Sequence, residues 1–135
     1  MSVLALLRIG VGVLFLLAGA CKGADVGKFE GEIRLYNILP VFGIPYLAAV
    51  IVAFEIVAGS AFIIGKGVRE AASVLSVLCA CFSIALIVRI VEGVSGDCGC
   101  FGGIIPETIG PGAVARDVFL LFACIAIGTE QGTQR

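Results

Sequence analysis

The sequence contains no histidine and no tryptophan, and only one methionine. Without histidine the chain lacks the commonest acid–base side chain near neutral pH and the commonest metal ligand. Histidine-based catalytic triads and the usual catalytic zinc sites are excluded with it. Charge is scarce too. Charged residues are 14 % of the 135, where soluble domains carry about a quarter. The net charge of −1, with no basic cluster, argues against nucleic acid as a partner. What the chain has instead is apolar surface: 60 % hydrophobic residues and a mean hydropathy of +1.17. One small domain has too much surface for its volume to hide this much. A lipid bilayer is therefore the expected surrounding.

Four apolar stretches, at about 3–20, 45–64, 71–91 and 113–128, each approach the roughly 20 residues needed to cross a bilayer core. They are apolar on all sides, so they read as spans rather than surface helices. They fill most of the 135 residues, and the expected organisation is a single transmembrane domain. The expected fold is all-α, a four-transmembrane-helix up-and-down bundle, because unsatisfied backbone is not tolerated in hydrocarbon. The run Leu16-Leu17-Ala18-Gly19-Ala20-Cys21 also resembles the end of a lipoprotein signal peptide. Against that, no Lys or Arg precedes the apolar run, and Arg8 lies within it.

Four spans place both chain ends and the 65–70 turn on one side. The longer connections, 21–44 and 92–112, share the other side, the loop face. Lysine and arginine counts on the two sides are close to a tie and do not orient the chain. Within the first connection, Val26, Phe29, Ile33, Tyr36 and Leu39 recur at helical spacing among charged residues. Pro40, Gly43 and Pro45 end the pattern. A short amphipathic helix between spans 1 and 2 is expected, lying on the membrane surface or capping the bundle.

Two ionisable residues fall inside spans, where they are expensive and point to a function or a buried pair. Glu55 lies near the middle of the second span, with Ala48, Ala58 and Gly59 on its face. Arg8 lies about two turns into the first, on a face with Gly12, Phe15, Gly19 and Lys22. Aligning the span ends puts Arg8 and Glu55 within a few ångströms in depth, and predicts that they pair. In the third span Ser73, Ser76, Ala80, Ser83 and Ile87 form a small-residue stripe, read as a packing seam. Cys79, Cys81 and Cys124 fall near mid-span and read as inert apolar residues.

The most informative stretch is Asp97-Cys98-Gly99-Cys100-Phe101-Gly102, just after the third span. Two thiols around one glycine form a flexible dithiol. A disulfide closed across so short a ring is strained and readily exchanged. Cys21 ends the first span on the same face, so Cys98, Cys100 and Cys21 are the candidate redox thiols. Lys22, Arg89 and Arg116 are expected to tune charge near them, and Asp97 to oppose a thiolate or take its proton. A Cu(I)-handling site using the same thiols, or a structural disulfide in a non-catalytic assembly subunit, are the alternative readings. No four-thiolate zinc site is available on this face, and no metal residue is assigned.

The whole pattern resembles the methylamine-utilisation protein MauE family, within the wider DoxX-like four-helix membrane proteins. The resemblance rests on Arg8-Ile9-Gly10, Ala18-Gly19-Ala20-Cys21-Lys22, Glu55 before Gly59, the Cys-Gly-Cys-Phe-Gly run and Arg116-Asp117. It implies a bacterial inner-membrane protein with cytoplasmic termini and a periplasmic Cys-Gly-Cys loop, where disulfides persist. It also implies a thiol-disulfide redox or maturation role for a periplasmic partner. That partner would be a thioredoxin-like protein or a disulfide-containing client such as the small subunit of methylamine dehydrogenase. A membrane quinone is a candidate electron acceptor, because isoprenoid quinones dissolve in the same bilayer. Arg116-Asp117 departs from the family's usual Arg-Asn by adding a charge.

Overall fold

The computed structural model describes residues 3–36, 40–93 and 110–133. Five helices follow in order: α1 (Val3–Ala24), α2 (Val26–Tyr36), α3 (Ile44–Ile64), α4 (Val68–Val91) and α5 (Pro111–Thr133), with a 3-10 turn at Val41–Gly43 before α3. No strand occurs among the described residues. The all-α expectation and the short helix after the first span are both met. The four long helices are each long and apolar enough to cross a membrane. Leu6, Leu17, Val57, Val77, Ile84, Phe119 and Phe122 point outward and exposed, as a lipid-facing surface requires.

The long helices pack as a closed ring: α1 lies along α3, α3 along α4, α4 along α5, and α5 returns to α1. The α1–α3 and α4–α5 interfaces are the extensive ones. Glycine makes the first of them. A Cβ added at Gly12 would lie 2.8 Å from the Gly59 carbonyl oxygen, and one at Gly59 would lie 2.8 Å from that of Gly12. Only hydrogen fits between the two backbones there. The α1 face expected to meet the second span is the buried one, including Gly12, Phe15, Gly19 and Lys22. Likewise Ala48, Glu55, Ala58 and Gly59 are buried together on α3.

Two local signals explain the connections. The Asp25 carboxylate accepts a hydrogen bond from the Lys28 backbone N–H at 3.1 Å and so caps α2. Phe29 and Ile33 then fold down onto Ile44, Ala48 and Ile51 of α3. The amphipathic helix therefore caps the bundle. Val26 remains partly exposed, and the Tyr36 side chain and Leu39 lie outside the described residues. Between α3 and α4 the chain reverses over three residues, with Gly65 (φ 89) and Gly67 (φ 64) in the left-handed region that glycine tolerates.

Two expectations are corrected. The first helix does not stop near residue 20 but runs to Ala24, so Cys21 and Lys22 are helical. Nothing in 20–24 breaks a helix more strongly than Gly23, and the capping Asp25 begins the next one. The Ser73–Ile87 stripe is not the packing seam of α4. Ser73 and Ile87 are exposed, and the buried line runs through Ala71, Ala72, Leu75, Cys79, Ser83 and Leu86. In lipid, small hydroxyl residues do not by themselves mark the buried side. Here small and large side chains alternate along the buried line, and of the stripe only Ser83 is buried.

Candidate functional site

Lys22 is 1 % exposed and Glu55 2 %. Their Nζ and Oε1 atoms lie 2.6 Å apart, joining α1 to α3 inside the bundle. The predicted Arg8–Glu55 pair is thereby corrected: the face of α1 was right and the partner on it was not. The reason is register. Gly12 meets Gly59, and Gly19 meets Ile56 and Glu55, in an antiparallel crossing. Continuing that register toward the N-terminus brings Arg8 level with Gly65, past the last turn of α3. The Arg8 guanidinium does lie there, 3.1 Å from where a Cβ on Gly65 would sit. Hydropathy located the span ends but not how the two helices slide past each other.

Every helix contributes to the surroundings of the ammonium. Phe29 of α2 and Phe82 of α4 present their rings to Lys22 Nζ at 5.1 and 5.0 Å from the centroids. A desolvated cation over an aromatic face gains about 2 kcal/mol or more. From α5, the Arg116 guanidinium donates two hydrogen bonds to Asp117 Oδ1, at 2.9 and 3.2 Å. Asp117 is 6 % exposed and lies within electrostatic range of Glu55. Lys22, Glu55, Cys79, Phe82, Arg116 and Asp117 line a cavity of about 30 Å³ between the helices. One or two water molecules would fill such a space. Glu55 Oε2 is buried with no hydrogen-bond partner among the described residues. A carboxylate with one oxygen on an ammonium and the other unmet is suited to accept a proton or a water.

The expected site residues therefore separate into groups. Lys22 turns inward to Glu55 instead of facing the loop, so its charge is neutralised in the core. Arg89 forms an ion pair with Glu92 at 2.9 Å near the end of α4. Arg116 lines the cavity. Cys21 is half-buried near the end of α1. Cys98, Cys100 and Asp97 lie outside the described residues. Among the described residues no group of three or more Cys, Asp, Glu or His could hold a metal ion.

Sequence reasoning missed Asp117 as a cavity residue and Cys79 beside it. The signal for Asp117 was present, since an acid within a span needs a partner and Arg116 precedes it. For Cys79 there was none, because spacing alone does not show which side of α4 meets α5.

The profile of the family described as "Methylamine utilisation protein MauE" matches residues 1–129. The methylamine utilization protein MauE of Paracoccus denitrificans is 28 % identical over 128 residues, which cover 94 % of this chain and 69 % of the relative. No solved structure matches the chain.

Proposed function

The chain belongs to the methylamine utilisation protein MauE family, a multi-pass membrane protein in a lipid bilayer, and on that premise we propose that it is an accessory protein of methylamine utilisation. In this reading it sits in the bacterial inner membrane, with its Cys98–Cys100 dithiol facing the periplasm. The pair exchanges disulfides with a thioredoxin-like protein or a disulfide-bearing client. The single observation that carries the reading is the Cys-Gly-Cys sequence in the 92–110 connection. Its setting supports it. The connection leaves from the C-terminal end of α4 and returns at the N-terminal end of α5. Arg116, in the first turns of α5, lines the same cavity as Lys22. Lys22 directly follows Cys21, so Cys21 lies toward the end of the bundle that carries the connection and is the third thiol of the proposal. Two thiols can then close a disulfide while the third resolves a mixed one.

Thiol counting with peptide mapping tests this directly. Protein isolated with thiols blocked at lysis should carry Cys98 and Cys100 partly as a disulfide, released by reductant. Protein purified under reducing conditions should hold no copper. Copper bound in proportion to the chain would replace the exchange reading with Cu(I) handling. A Cys98–Cys100 pair that stays unmodified under every redox treatment would also overturn it.

A further inference from the structure

The dithiol scheme leaves the buried carboxylate of Glu55 without a role. Glu55 is held on one oxygen only. Oε1 lies 2.6 Å from Lys22 Nζ, while Oε2 is buried and has no hydrogen-bond partner among the described residues. A charged acceptor left unmet in low dielectric is costly, and a water molecule or a proton relieves it. The cavity that Glu55 borders is large enough, at about 30 Å³, for one or two water molecules. Its charged lining is Lys22 of α1, Glu55 of α3, and Arg116 with Asp117 of α5. From α4 come Cys79 and Phe82, and α2 presents the Phe29 ring to the Lys22 ammonium. Asp117 is engaged by two hydrogen bonds from Arg116, and Glu55 is the acid with an oxygen unmet.

The two ends of the bundle are not equivalent as ways in. The Arg116 side chain is 22 % exposed. It stands five residues into α5, about 8 Å of helix from the 92–110 connection. In the other direction Val11, Phe62, Val68, Leu75 and Ile127 pack together, each no more than 4 % exposed. None of these five lines the cavity. Polar groups thus lead inward from the loop face and stop at Glu55, where the apolar core begins.

We propose that Glu55 is an exchangeable proton site in the membrane interior, reached through cavity water from the loop face alone. A hydronium ion at the Arg116 end gives up its proton, which passes through the cavity water to Glu55 Oε2. An O–H bond forms on the carboxyl and the hydronium is left as water. With all four groups ionised the cluster sums to zero, so the added proton leaves one positive charge. Lys22 is equipped to keep it, because the rings of Phe29 and Phe82 face its ammonium at 5.1 and 5.0 Å. The proton returns by the way it came. The site therefore stores a proton for the loop face and does not conduct one across the bilayer, as an acid with a polar path on both sides would.

The test is an infrared pH series on the full chain reconstituted in lipid bilayers. No readout involves a thiol, so the outcome is independent of the exchange reading. The expected result is the C=O band of a carboxylic acid shielded from bulk water. It should grow as the pH falls, move to lower frequency in heavy water, and be lost in Glu55→Gln. If that variant does not fold, the wild-type chain grown with glutamate carrying heavy carbon in its side-chain carboxyl assigns the band instead, since an aspartate band would not shift. Absence of a shielded band at every pH at which the chain is folded overturns the proposal. A band that ignores the glutamate label, or one that heavy water never reaches, overturns it too. Sealed vesicles with the chain in one orientation, checked by cleavage of a C-terminal tag, locate the entrance. After a pH jump on one side, the band should respond first to the loop face, and a faster response to the terminal face would overturn the route.

Discussion

At the scale of single residues, the Lys22–Glu55 ion pair dominates. Both charges are out of water, so removing one leaves the other stranded. Lys22→Met or Glu55→Gln alone should each destabilise the bundle by roughly 3–5 kcal/mol, because the remaining charge stays buried and uncompensated. The double variant should recover most of that loss, since no charge then remains to be buried. Denaturant unfolding in micelles measures the cycle, and simple additivity would show that the two do not interact. Arg8→Met should cost much less than Lys22→Met, because Arg8 lies at the end of α3 by Gly65 and not beside Glu55. Much of this was legible in the sequence. An acid in the middle of an apolar run demands a counter-charge, and Lys22 stood on the same helical face as Arg8. Choosing between them required the slide of α1 along α3, which hydropathy does not encode. The glycines at 12, 19 and 59 encode it only once their close contacts are seen.

At the scale of elements, the α1–α3 crossing depends on absent side chains. Gly12→Ala would place a methyl 2.8 Å from the Gly59 carbonyl oxygen and 2.8 Å from Phe62 Cβ. The helices must then separate, at a cost of about 1–3 kcal/mol. Gly10→Ala, two residues away, meets nothing within 4 Å and should be neutral, or stabilising by up to about 1 kcal/mol through helix propensity. Measuring both in one unfolding series separates packing from propensity, and equal effects would contradict the contact. The amphipathic spacing of Phe29 and Ile33 predicted α2, and its capping of the bundle follows from what lies beneath it. By covering Lys22 with the Phe29 ring, α2 shields the ammonium from water. The seam of α4 was not legible. A span that is apolar all round leaves its buried side to be decided by partners that are distant in sequence, here Leu120 and Cys124 of α5.

At the scale of the whole molecule, a buried ion pair lies inside a bundle whose 92–110 connection carries the Cys-Gly-Cys sequence. If that connection faces the periplasm, a membrane-impermeant thiol reagent added outside the cytoplasmic membrane should label Cys98, Cys100 and, more slowly, the half-buried Cys21 after reduction. Cys79 and Cys124 should stay protected until denaturation, being 3 % and 0 % exposed. Labelling of the loop thiols from the cytoplasmic side alone would reverse the orientation. The span number and the all-helical class were readable from composition and run length, because lipid leaves a chain few other ways to satisfy its backbone. The proposed chemistry rests on a short glycine-rich connection and is read from residue identity alone. Trapping addresses it most directly. In an exchange pair, replacing the resolving thiol leaves the attacking one locked to its partner. Membranes from Cys98→Ser and Cys100→Ser cells, with thiols blocked at lysis, are run on a non-reducing gel. The account predicts a reducible higher-mass adduct in one variant and not the other, with Cys100 as the outer thiol and Cys98→Ser therefore as the trapping variant. No adduct in either variant, with wild-type behaviour of the cells in both, would contradict it.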